Sequence, residues 1–173
     1  MSLKPPVSEK DNLQGSAAAP IELVEYGDYQ CPYCGAAYPM VKAIQKKMGD
    51  KLKFVFRNFP LAEAHPYATN AAIATEAAAR QNKFWEMHDI LFEHQHQLDK
   101  ASLIRYAEKI GLDVKKFELD LDRQEIQDKV ASDFESGVRS GVNGTPTFFI
   151  NGKKYNDSWD EGILLDYLLT LVK

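Results

Sequence analysis

Both cysteines of this chain stand in one tetrapeptide, Cys31-Pro32-Tyr33-Cys34, and that placement constrains the fold more than any other feature. A bond between them closes a loop too short to tie distant parts of the chain together, so the pair is poorly suited to be a structural staple. A structural zinc normally takes four ligands and would have to complete its set from His65, His88, His94 and His96. No metal is expected, and redox chemistry is the reading that remains.

The flanking residues set the architecture. Ile21-Glu22-Leu23-Val24-Glu25-Tyr26 alternates and carries enough β-branched residues for a strand, with Gly27 to Gln30 as the loop into the cysteines. Pro32 suits the first turn of a helix, where its missing N–H is not needed. Val41, Ile44 and Met48 continue that helix toward Gly49, with a kink expected at Pro39. Leu52 to Arg57 alternates again, and strand–helix–strand order implies a crossover between two parallel strands. Four helical runs follow, over 66–80, 83–97, 102–110 and 125–140, the last with Ile126, Val130, Phe134 and Val138 at a spacing of four. Thr147 to Ile150 returns to strand, Asn151-Gly152 signals a tight hairpin, and residues 161–173 form an amphipathic helix. Residues 1–19 mix Pro, Ser, Gly, Ala and charge without periodicity and are expected to be a loose arm. The organisation predicted is therefore an arm (1–19), an α/β domain in two parts (20–60 and 141–173), and a helical insertion (61–140).

Composition narrows the partners. With 173 residues, 45% hydrophobic and 27% charged, the chain is long enough to bury a sizeable core. A net charge of -4 offers no basic surface for nucleic acid, and no apolar run approaches the roughly 18 residues of a membrane span. The start, Met1 to Val7, is polar and lacks the apolar stretch of a signal peptide, so a cytoplasmic protein is expected. A periplasmic protein whose signal peptide has been removed is the alternative.

A cysteine opening a helix after a strand faces unpaired backbone N–H groups and the positive helix end, which favour thiolate over thiol. Cys31 is accordingly the expected nucleophile. Cys34, one turn on, is recessed but within bonding reach and is the expected resolving thiol. Read locally, Glu25 is an edge carboxylate facing solvent, and Thr145-Pro146 is a turn with an ordinary trans bond.

The combination of Val24-Glu25-Tyr26-Gly27-Asp28-Tyr29-Gln30-Cys31-Pro32-Tyr33-Cys34, the helical insertion around Lys83-Phe84-Trp85-Glu86-Met87-His88, and Gly141-Val142-Asn143-Gly144-Thr145-Pro146-Thr147-Phe148 resembles the DsbA-like thiol:disulfide interchange proteins of the thioredoxin superfamily, over roughly residues 20–173. The resemblance implies a thioredoxin-like fold with an inserted helical subdomain, no prosthetic group, and partners that are protein or peptide thiols and disulfides, with glutathione or an unidentified redox partner for recycling. It also implies a cis bond before Pro146, substrate contact by Thr145, Pro146, Pro32 and Tyr33, and a buried Glu25 that relays the proton of Cys34. Tyr26, Tyr29, Tyr33 and Phe148 are candidates for an apolar landing surface or for core. Strongly oxidising members carry His where Tyr33 stands, and Cys-Pro-Tyr-Cys is common in glutaredoxins. The direction of electron flow thus stays open, with a Cys31 pKa expected at about 4 to 6. A glutathione-linked reductase or peroxidase, and a non-catalytic redox-sensing module, are the alternative functions.

Overall fold

The structure is a computed structural model describing residues 1–160 and 162–172; Glu161 and Lys173, at the ends of the predicted closing helix, lie outside the described residues. The chain runs β1 (Asn12–Gly15), β2 (Ile21–Gly27), α1 (Pro32–Met48), β3 (Leu52–Asn58), α2 (Ala68–Ala79), α3 (Phe84–Glu93), α4 (Lys100–Lys109), α5 (Val114–Leu121), α6 (Gln124–Arg139), β4 (Thr147–Ile150), β5 (Lys153–Lys154) and α7 (Ile163–Leu171). The sheet order is β1-β3-β2-β4-β5. Helix α1 crosses between β2 and β3, which pair in parallel from Ile21 against Leu52 to Gly27 against Asn58. The other pairings are antiparallel. This is the thioredoxin-like α/β arrangement with a helical insertion.

Alternation along the central strands divides the interior. Ile21, Leu23, Phe54 and Phe56 pack into the larger cluster with α1, α7 and the insertion, while Val24, Tyr26, Val55 and Phe149 pack on the opposite face. Glu25 shares the parity of Ile21 and Leu23, so strand geometry carries a carboxylate to the α1 side. The alanines of α2 let neighbouring helices approach closely, and Ala71, Ala74, Ala77 and Ala78 are fully enclosed. The hairpin turns at Asn151 and Gly152, both with positive φ, as its two-residue turn requires.

Several expectations need correction. Residues 1–19 are not a loose arm: Leu3 is buried, and β1 pairs with β3 as the edge strand. The anchor is Arg57, which donates from Nε and Nη2 to the two oxygens of Asp11 (2.8 and 3.0 Å), and from Nη1 to the Pro5 carbonyl (3.0 Å) and the Tyr26 hydroxyl (2.9 Å). A buried guanidinium requires such partners, and they come from a segment without periodicity of its own. The insertion holds five helices rather than four, α5 being the addition. Its N-cap, Asp113, accepts from the Lys116 N–H at 3.1 Å, a local signal that was there to be read. Helix α1 runs through Pro39 as one element. Ile126 and Val130 face the core as expected, whereas Val138 is 57% exposed, because a spacing of four drifts around a 3.6-residue helix and the buried face at that end of α6 is formed by Ser136 and Gly137.

Removing one partner of a buried ion pair strands the other charge, so Asp11→Ala should cost about 3 kcal/mol in urea unfolding. A loss under about 0.5 kcal/mol would return the segment to the status of a loose arm.

Candidate active site

The loop from Asp28 to Gln30 delivers Cys31 as the N-cap of α1, in extended conformation (φ -69°, ψ 123°), and Cys34 lies within the first turn. Both are free thiols. Cys34 is fully enclosed and Cys31 retains 4% exposure, so the expected nucleophile is a nearly covered group at the bottom of an opening. Its sulfur lies 3.6 Å from the Thr145 carbonyl, to which the thiol donates. The Thr145–Pro146 bond is cis, and both residues are half-buried beside the cysteines. Pro32 and Tyr33 face outward, Tyr33 with 69% exposure.

The two sulfurs are driven in opposite directions. The Cys31 thiol is brought from 9.0 to about 5, first because the Cys34 S–H donates to it, against an opposing cost of burial. The Thr145 hydroxyl, buried and without a hydrogen-bond partner of its own, also favours the anion. The backbone N–H groups of Cys34 and Tyr33 follow in importance, none of them forming a full cap hydrogen bond. The helix end thus assists, but the neighbouring thiol leads. Cys34 is pushed well above an ordinary thiol, chiefly by burial, then by the hydrogen bond it gives Cys31 and by the charges of Glu25 and Cys31.

Glu25 is 2% exposed, and its Oε1 is buried without a hydrogen-bond partner. Burial, and secondarily the Cys31 thiolate, raise its pKa from 4.5 to about 8. The locally expected solvent-facing carboxylate is replaced by a neutral acid behind the pair, because β2 is an interior strand between β3 and β4 and α1 packs over that face.

Two supporting residues were not singled out from sequence. Asp28 is buried, and its carboxylate accepts from the N–H groups of Gln30 (2.8 Å), Cys31 (3.2 Å) and Leu61 (2.9 Å) and from His65 Nδ1 (2.8 Å). Gln95, in the turn after α3, donates from Nε2 to the carbonyls of Tyr29 and Cys31, each at 2.9 Å. A side chain at Gly35 would displace the Gln95 amide from these carbonyls. An acidic residue three positions before a helix cap is a local clue to Asp28. Gln95 has none, since its partners are 64 and 66 residues away.

The candidate landing surface is also revised. Tyr26, Tyr29 and Phe148 are buried, Tyr29 sharing a 2.8 Å hydrogen bond with His88 Nδ1 inside an aromatic cluster. Burial holds His88 well below the usual histidine range. Tyr33 alone of the four is exposed, and it opens a groove of about 930 Å³ with Pro39, Met40 and Trp159, rimmed by Asp157 and Asp160. The four histidines are dispersed: His65 on Asp28, His88 in the core, His94 capping α3 and His96 exposed. Among the described residues no three of His, Cys, Asp and Glu converge as a metal-holding group.

Comparison with known proteins matches this geometry to a family. A family model described as Thioredoxin covers residues 7–165. The chain is 41% identical over 165 residues to "Na(+)/H(+) antiporter NhaA 1" of Mycobacterium sp. (strain KMS), covering 94% of this chain and 27% of that protein. It is 42% identical over 152 residues to "Na(+)/H(+) antiporter NhaA 3" of Salinispora tropica, covering 88% and 23%. The chain therefore spans about a quarter of these curated relatives. Among solved structures, oxidised BdbD from Bacillus subtilis is 25% identical with a TM-score of 0.82, covering 95% of this chain and 94% of that one. A thioredoxin-like oxidoreductase from Silicibacter pomeroyi DSS-3 (23%, TM-score 0.80, 95% and 92%) and the thiol-disulfide exchange protein alpha-DsbA2 from Wolbachia pipientis (20%, TM-score 0.81, 95% and 88%) share the fold.

The buried acid makes stability depend on pH. A carboxyl whose pKa rises from 4.5 to about 8 keeps a proton that the unfolded chain has lost, so stability falls as pH climbs between those values. Cys31 acts oppositely in the dithiol form: its contribution is complete above 9.0 and disappears as pH falls through about 5. The disulfide form removes that second effect and lowers, without abolishing, the Glu25 shift, because burial is its larger cause. Urea unfolding of the oxidised protein should therefore show roughly 2–3 kcal/mol less stability at pH 8 than at pH 5, and Glu25→Gln should flatten the profile. Identical profiles for the two proteins would place Glu25 in solvent.

Proposed function

We propose that this chain, which belongs to the thioredoxin family as a DsbA-like oxidoreductase, exchanges disulfides with protein thiols through Cys31 and Cys34 and is poised on the oxidising side of thioredoxin. The observation that carries this reading is the opposed tuning of the two sulfurs, one favoured as an anion at the opening and the other held as a buried thiol.

In the oxidising direction a substrate thiolate attacks the Cys31 sulfur of the disulfide. The Cys31–Cys34 bond breaks, a mixed disulfide forms, and Cys34 leaves with the electron pair and takes a proton relayed by Glu25. A second substrate thiolate then attacks the substrate sulfur of the mixed disulfide and releases Cys31 as the thiolate its surroundings favour. Two electrons reach the pair, the substrate gains one disulfide, and a separate dithiol–disulfide partner must remove those electrons before the next cycle. The Thr145 main chain lies beside Cys31, where an extended peptide can pair with it, and the Tyr33–Trp159 groove offers apolar contact to flanking residues. Asp157 and Asp160 on the rim disfavour the carboxylates of glutathione, which weighs against a glutathione-linked reductase or peroxidase. A non-catalytic sensing module has no need of a buried acid behind its resolving thiol.

The poise follows from linkage. Thioredoxin, with a nucleophile pKa near 7, lies at about -270 mV. A Cys31 pKa of about 5 stabilises the dithiol form by roughly 1.5–2.3 kcal/mol more at pH 7 once solvent screening is allowed for, or about 30–50 mV. Equilibration with glutathione should give about -240 to -220 mV. With a scrambled disulfide-containing substrate, Cys34→Ser should accumulate mixed disulfides and Cys31→Ser should form almost none. A potential below about -260 mV, or trapping by the Cys31 variant instead, would overturn the reading.

A further inference from the structure

We propose that Asp28 is a positioning residue of the redox centre: its carboxylate holds the main chain of Cys31 in the setting that turns the sulfur toward the α1 amides, while its own N–H is donated to Cys34. The inference rests on the reading of Cys31 as nucleophile and names what keeps that sulfur in place.

Pro32 follows Cys31 and has no N–H, so the first amides of α1 able to face the Cys31 sulfur belong to Tyr33 and Cys34. Reaching them requires the extended N-cap conformation of Cys31. Asp28 fixes that conformation from the preceding side. The Cys31 N–H is held both by the Asp28 carbonyl (3.1 Å) and by Oδ1 (3.2 Å), and the same oxygen takes the Gln30 N–H at 2.8 Å. The other oxygen binds the Leu61 N–H and His65 Nδ1, tying the loop to the segment between β3 and α2. A carboxylate only accepts, so His65 carries hydrogen on Nδ1. On the far side of the cysteine, Gln95 holds the Cys31 carbonyl. The nucleophile's main chain is therefore gripped at the Cys31 N–H by Asp28 and at the Cys31 C=O by Gln95, the latter contributed by the insertion.

The second sulfur is touched by the same residue, since the Asp28 N–H points at Cys34 Sγ at 3.5 Å. It is a donor to Cys34 whenever that sulfur leaves as an anion, and it moves with the turn that the Asp28 side chain stabilises. Disturbing one side chain should thus disturb both sulfurs. Two other roles are conceivable and give different results. A simple loop staple would lower stability without changing thiol acidity, and a carboxylate acting through its charge would make Cys31 more acidic when removed.

The test is the Cys31 pKa, read from the pH dependence of alkylation of the reduced protein, together with the glutathione equilibrium constant. Asp28→Ala should raise that pKa by about one unit or more and shift the equilibrium about tenfold toward the disulfide form, equivalent to about 30 mV. Asp28→Asn keeps one oxygen for the Gln30 and Cys31 amides and should stay within about threefold of the unmodified protein. Asp120→Asn, which disturbs the Arg80 and Arg123 pairing in the insertion, should lower stability without moving either readout. If Asp28→Ala does not fold, Gln95→Ala decides the matter, with an expected rise of about half a unit in the same direction. An unchanged or lowered Cys31 pKa in Asp28→Ala, or in Gln95→Ala where that variant stands in for it, overturns the positioning role. An unmodified protein whose Cys31 titrates as an ordinary thiol would instead overturn the functional reading on which it rests.

Discussion

The donor that a buried Cys34 thiol offers the Cys31 anion is the constraint on which the rest of this site depends. It has meaning only because the sulfurs are inequivalent: one lies at a helix N-terminus beneath an opening, and the other lies one turn deeper in an apolar interior. Burial keeps Cys34 protonated, a protonated Cys34 is a donor, and that donor stabilises the Cys31 anion. Glu25 completes the arrangement. A charged carboxylate behind Cys34 would oppose thiolate formation, so its burial in the neutral form removes a repulsion, which is the state the proposed proton relay requires.

The fold supplies each condition separately. Parallel β2 and β3 bring the loop after β2 to the edge where α1 begins, so the cysteine pair inherits the helix end from topology. Antiparallel β4 brings Thr145 and Pro146 to the same edge from the other side. The insertion does more than roof the sheet, because Gln95 reaches the carbonyls of Tyr29 and Cys31 while His88 anchors the Tyr29 ring from beneath. The N-terminal segment closes the opposite face through Arg57 and Asp11 and so contributes to stability.

What was legible in the sequence follows the range of the interactions involved. The strand–helix–strand around the cysteines, the Asn151-Gly152 turn and the closing helix depend on local periodicity and turn chemistry, and they are found where expected. Glu25 lay on the correct strand face by parity alone, but its burial depends on what covers that face, which no local pattern states. Tyr26, Tyr29 and Phe148 show the same ambiguity: an aromatic near a motif is core or surface according to distant packing, and here all three are core. The edge strand β1 was missed because its pairing with β3 spans some forty residues and its own sequence is polar. Gln95 is invisible for the same reason, whereas Asp28 and Asp113 carry short-range capping signals in the sequence itself.

The Cys34 S–H, ahead of the helix amides, is the leading cause of Cys31 acidity. Titrating the Cys31 thiolate by its ultraviolet absorbance in the unmodified protein and in Cys34→Ala separates the two contributions, since the variant keeps the helix and loses the donor. The unmodified protein should titrate near 5, and the variant should move above about 6. A Cys31 that stays near 5 without Cys34 would contradict the account and return control of the thiolate to the helix end.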